Sequence, residues 1–231
     1  MKLLSIKSFI ITLLCASFTC APAAHCQGFF GKLKNKITAS VSSKKDEKKS
    51  SDVDIMEMSL DDNIMSPQVP DKQHEIVANH MNSLAKKLAK RKKERVETMR
   101  DGEVVVTTIR TELLFAPNDT VLNNRAQEFL QPYVDLLNQP GMYKIMIVVH
   151  TDNTGSENYT DNLSVERVNA VYDWMSARTE SVSLVPYGMG ASEPLKPNNS
   201  YADRSANRRL EIYIVPDSRA LEMAKSQLLT Y

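Results

Sequence analysis

Cysteine is scarce in this 231-residue chain, with only Cys15, Cys20 and Cys26, all near the N-terminus. That excludes a disulfide framework or a cysteine-ligated metal from the remainder. The four histidines, His25, His74, His80 and His150, show no metal-ligand spacing in the C-terminal half, so no metal site and no cofactor is expected. A formal net charge of +1 removes any global argument for nucleic acid as a partner. The apolar stretch of residues 9–18 is too short for a comfortable membrane span, which needs about 20 apolar residues.

What that N-terminal stretch does fit is export. Lys2 and Lys7 precede it, and Ala21-Pro22-Ala23-Ala24 follows with small residues for cleavage, the pattern of a signal peptide over residues 1–26. An uncleaved anchor and lipidation at Cys26 are the alternatives. Residues 27–72 read as an amphipathic leader and a flexible linker. Phe30, Leu33, Ile37 and Val41 recur at helical spacing among lysines, which predicts membrane-surface contact through residues 27–42, with a partly ordered leader as the plainer reading. Residues 42–72 are rich in Ser, Lys, Asp and Glu, contain Pro67 and Pro70, and offer little apolar surface against the cost of ordering. Residues 73–101 are expected to form a basic helix carrying Lys86, Lys87, Lys90, Arg91, Lys92 and Lys93, either a solvated face or a contact for anionic envelope polymers or lipid.

Beyond residue 101 the texture changes. Residues 104–109 are rich in β-branched side chains, 143–150 are almost continuously apolar, and 210–214 alternate; each reads as a strand, with 143–150 the central one. A further strand is expected over 182–187. Leu122, Ala126, Phe129, Leu130, Tyr133 and Leu137 follow helical spacing, with Pro132 expected to kink or split the helix. A second helix is expected over 160–178. The order predicts an α+β domain over 102–216, a βαβαββ-type mixed sheet with helices packed on it, followed by a short helical tail over 217–231.

One stretch carries chemistry. Residues 151–167 open at the C-terminal end of the buried strand, pass through Gly155 and enter the second helix. Asp152 and Arg167 thus come from adjoining elements, and Thr160, Ser164 and Arg167 share one helix face at i, i+4 and i+7. A carboxylate can hold an ammonium, and a guanidinium a carboxylate in two-pronged fashion, so the pair could grip a zwitterionic amino-acid centre. A plain structural ion pair is the competing reading.

At these residues the chain resembles the OmpA-like peptidoglycan-binding family, whose pattern T-D-x-x-G-S-x-x-Y-N-x-x-L-S-x-x-R it meets at Thr151, Asp152, Gly155, Ser156, Tyr159, Leu163, Ser164 and Arg167. Gly188, Gly190, Pro194, Asn198, Asn207, Arg208 and Arg209 are similar to the family's later landmarks. The resemblance implies non-catalytic binding of peptidoglycan through the diamino acid of its stem peptide, with Asp152 and Arg167 gripping the ligand and Thr151, Thr160 and Ser164 lining it. It also implies a periplasmic location associated with the outer membrane or cell wall. Thr160 stands where the family usually has asparagine, so affinity or ligand preference is expected to differ. Arg208 and Arg209 are expected to support the fold rather than touch ligand. The rival readings are an envelope scaffold docking another protein through the basic helix, and a cell-wall hydrolase using Asp152, Glu157 and Asp161.

Overall fold

The computed structural model describes residues 54–91 and 94–229. The expected signal peptide and amphipathic leader lie outside them, as does the beginning of the linker. The described elements are α1 (Leu60–Met65), α2 (Asp71–Ala89), β1 (Arg95–Met99), β2 (Val104–Arg110), α3 (Ala126–Leu137), β3 (Tyr143–His150), α4 (Glu157–Ser176), β4 (Leu184–Gly190), α5 (Tyr201–Asn207), β5 (Arg209–Pro216) and α6 (Ser218–Lys225).

The strands form one sheet in the order β1-β2-β5-β3-β4. β3 and β4 run parallel, while β5 is antiparallel to both β2 and β3. The mixed α+β architecture is therefore as expected, although β5 rather than β3 is the middle strand, because β1 extends the far edge. All eight residues of β3 are buried. Its Tyr143, Ile145, Ile147 and Val149 join Leu210, Ile212 and Ile214 of β5 in a core closed by Leu130, Tyr133 and Val134 of α3 and Val168, Val171 and Met175 of α4. Apolar burial of this kind is worth about 25 cal/mol per Å².

Three expectations about the flanks are corrected. The expected basic helix over 73–101 ends at Ala89, and Arg95–Met99 is a strand paired with β2 from Arg95↔Thr108 to Met99↔Val104. Charge density concealed it: Arg95 and Glu97 point away from the core as an edge strand's charges do, and the turn that makes the hairpin depends on positive φ at Arg100, Asp101 and Gly102. The flexible linker does not extend to residue 72. Leu60–Met65 is helical, capped by Ser59 Oγ accepting from Asp62 N at 3.1 Å, with Leu60, Asn63 and Ile64 buried. Its low apolar content is offset by polar bonds to the sheet. Finally, the tail continues the domain, since Ala220 and Ala224 of α6 join the core.

Pro132 does not split α3, which runs unbroken from Ala126 to Leu137. A proline has no N–H to offer the carbonyl four residues back; that carbonyl, Glu128 O, accepts instead from the Arg91 guanidinium.

Candidate functional site

Asp152 lies two residues past the end of β3, where parallel and mixed α/β sheets tend to place ligand sites. Thr151 extends the ladder by donating its N–H to Gly190 O at 2.8 Å. The loop then turns through Gly155, whose φ of +109° suits glycine, and a Cβ there would come within 2.8 Å of the Tyr159 ring. Ser156 caps α4, its Oγ accepting from Tyr159 N at 3.2 Å. A short sequence pattern thus sets the strand end, the turn and the helix start.

The Asp152 carboxylate is buried, and both oxygens are engaged. Oδ1 accepts from Thr154 N at 2.8 Å and Oδ2 from Arg208 Nη1 at 2.5 Å. Burial pushes this carboxyl up, but the bonds from Arg208 and Thr154 outweigh it and hold it below its ordinary value. The other terminal nitrogen of Arg208 donates to Glu112. Backbone pairing makes this meeting possible: Arg110 pairs with Arg209, and Thr111 N donates to Arg208 O at 3.1 Å.

Arg167 is also buried, at 4% exposure. It does not pair directly with Asp152. Its Nε donates to Asp119 O at 2.9 Å and its Nη2 to Ala116 O at 3.3 Å, and its guanidinium lies 5.0 Å from the Phe115 ring centre. Burial draws its pKa down, and Asp152 and Arg208 both lie near enough to act on it electrostatically. Asp152, Arg167 and Arg208 therefore form one charged cluster at the end of the sheet.

The remaining expected site residues have internal partners. Thr160 Oγ1 donates to Glu157 O at 2.8 Å. Ser164 Oγ donates to Asp161 O at 2.8 Å and accepts from Gly190 N at 2.9 Å, tying α4 to the end of β4. Gly188 allows that approach, since a Cβ there would lie 2.8 Å from Val165 N. Thr151 Oγ1 is buried with no hydrogen-bond partner among the described residues.

Arg208, expected to support the fold, is the direct partner of Asp152. The two arginines in fact divide their duties. Arg209 is buried and donates to Glu211 Oε1 at 2.7 Å, Asn207 O at 3.3 Å and Glu193 O at 3.2 Å. Glu112 carried no signal of its own, because only the β2–β5 pairing brings it to Arg208. Asn207 Oδ1 accepts from Lys196 N at 2.9 Å and Nδ2 donates to Asn198 Oδ1 at 2.8 Å, bracing the loop ahead of Arg208. Among the described residues no group of three or more His, Cys, Asp or Glu is arranged to hold a metal, and no helix is long and apolar enough to cross a membrane.

Residues 114–208 match the model of the OmpA family. The outer-membrane lipoprotein YfiB of Pseudomonas aeruginosa is 33% identical over 107 residues, 46% of this chain and 63% of that protein. The peptidoglycan-binding protein ArfA of Mycobacterium tuberculosis is 33% identical over 99 residues, 42% of this chain and 28% of that protein. The chain thus spans less than two thirds of the length of these curated relatives. Among solved structures, the cell wall anchor of the T6SS from Pseudomonas aeruginosa superposes with a TM-score of 0.50 at 25% identity, covering 61% of this chain and 97% of that one.

Proposed function

We propose, from the premise that residues 114–208 are an OmpA-like domain, that this protein binds peptidoglycan without catalysis and anchors itself, or the membrane it is attached to, to the cell wall. The observation that carries the reading is the charged cluster at the strand end, a buried carboxylate beside two guanidiniums on a glycine-turned loop. Asp152 supplies the negative charge for the ammonium of a stem-peptide diamino acid. Arg167, already oriented by two backbone carbonyls, supplies the planar donor for its carboxylate. Thr151, Thr160 and Ser164 shape the wall around them. The names of the relatives support a location in the periplasm, at the outer membrane or the cell wall.

The test is retention on purified sacculi, read beside a melting curve. Asp152→Asn is expected to lose most retention yet stay folded, because Thr154 can still donate to the amide oxygen and Arg208 keeps Glu112. Arg167→Lys is expected to bind at least about tenfold more weakly, since an ammonium cannot reproduce a planar fork. Parent-level retention of both variants would remove the site.

A further inference from the structure

Arg208 stands between two carboxylates and divides its terminal nitrogens between them, Nη1 to Asp152 Oδ2 at 2.5 Å and Nη2 to Glu112. Since Thr154 N holds Oδ1, a cationic ligand group approaching Asp152 meets a carboxylate with both oxygens taken. Each oxygen keeps a second lone pair, but on Oδ2 the newcomer competes with Arg208 for the same negative charge. A guanidinium remains charged at any ordinary pH, so Arg208 needs another carboxylate in that event.

Glu112 is built to be that carboxylate. Ser205 Oγ holds it, lying 3.0 Å from Oε1 and 3.3 Å from Oε2, and the Tyr201 ring centre lies 5.4 Å from the Arg208 guanidinium. Burial pushes Glu112 up, yet the bonds from Arg208 and Ser205 outweigh it and keep the carboxyl ionised below its ordinary value. Glu112 is also the more exposed carboxylate, with its side chain 37% accessible against 9% for Asp152. Arg208 can therefore rest on it close to solvent.

We propose that Glu112 is a positioning residue for ligand binding, which retains Arg208 when Asp152 Oδ2 passes to the ammonium of an incoming amino-acid centre. The inference rests on the reading that Asp152 takes such an ammonium. Its electrostatic counterpart is simple. With Glu112 neutral, Asp152 alone faces Arg208 and Arg167, which repels an ammonium and fixes Arg208 on Asp152. Removing Arg208 as well restores one carboxylate opposite one guanidinium and frees Oδ2.

The test uses the full chain, intact sacculi, and soluble muropeptides released from those sacculi, titrated calorimetrically. Glu112→Gln is expected to weaken muropeptide affinity about tenfold, a loss typical of charge-assisted contacts, and Glu112→Asp to recover most of it. The double variant Glu112→Gln/Arg208→Gln is expected to bind within about threefold of the parent. Ser205→Ala, a milder change that leaves both charges, is expected to lose two- to threefold, roughly half a kcal/mol. A merely structural pair predicts the opposite, with the double variant binding no better than Glu112→Gln and melting lower. That result, or parent-level affinity in Glu112→Gln, overturns the inference while leaving peptidoglycan binding intact. A parent that binds neither sacculi nor muropeptides overturns both.

Discussion

Asn63 Oδ1 accepts a hydrogen bond from Lys144 Nζ at 3.0 Å, joining residues 81 positions apart. Both are buried. The Asn63 amide nitrogen donates to Ile55 O at 2.7 Å and to Tyr187 OH at 2.6 Å, and Tyr187 OH in turn donates to Met58 O at 3.0 Å. One asparagine thereby fastens α1 to β3 and β4. Asn63→Ala takes the acceptor from a buried lysine and one of two partners from the Tyr187 hydroxyl, and is expected to cost about 3 kcal/mol. Chemical denaturation checks the loss, and hydrogen exchange over residues 54–66 checks that it begins there.

The same lysine gives a pH signature. Burial lowers Lys144 to about 8, against about 10.4 in an unfolded chain. Between those values the unfolded state binds more protons, so stability rises with pH. Denaturation midpoints are expected to increase between about pH 8 and pH 10, and Lys144→Met is expected to abolish that slope.

Glu211 acts at the other end of the scale. Burial pushes its carboxyl up, but contacts with His150, Tyr213 and Arg209 outweigh this and bring it to about 2. The unfolded value is about 4.3, so its stabilisation is present above that pH and is lost as pH falls toward the folded value. Glu211→Gln is expected to lower stability at pH 7 by roughly 3 kcal/mol. The gap from the parent should narrow steadily below about pH 4, which paired denaturation curves at pH 7 and pH 3 measure.

Pro132 interrupts the backbone ladder of α3, and Arg91 occupies the carbonyl so released. Pro132→Ala restores an N–H at the cost of competing with Arg91. A net gain of about 1 kcal/mol is expected from the general penalty of interior proline. A lower melting temperature would show that the Arg91 contact outweighs the helix bond.

The boundary of the folded unit gives a further expectation. A fragment of residues 102–216 lacks α1, α2, β1 and α6, so it uncovers Val77, Met81, Leu84 and Leu88's partners and the free edge of β2. It is expected to melt well below a fragment of residues 54–229 and to aggregate through that edge. Equal melting of the two fragments would show that the appended elements merely rest on the domain.

The sequence by itself determined the elements whose information is local. Residues 143–150 are apolar but for Lys144 and His150 and read as an interior strand; Ser156 and the spacing of Val168, Val171 and Met175 define α4. The Asp152-to-Arg167 stretch was legible for the same reason, as strand end, turn and helix start are contiguous. Tertiary structure alone decided the partners. Asp152 pairs with Arg208 rather than Arg167 because β5 runs antiparallel beside β3 and delivers residue 208 to the strand end. β1 exists because β2 offers an edge to a charged segment, and α1 because Lys144 and Tyr187 await an asparagine. Hydrogen bonds and ion pairs between distant residues leave no periodicity in the chain, so only the folded backbone reveals them.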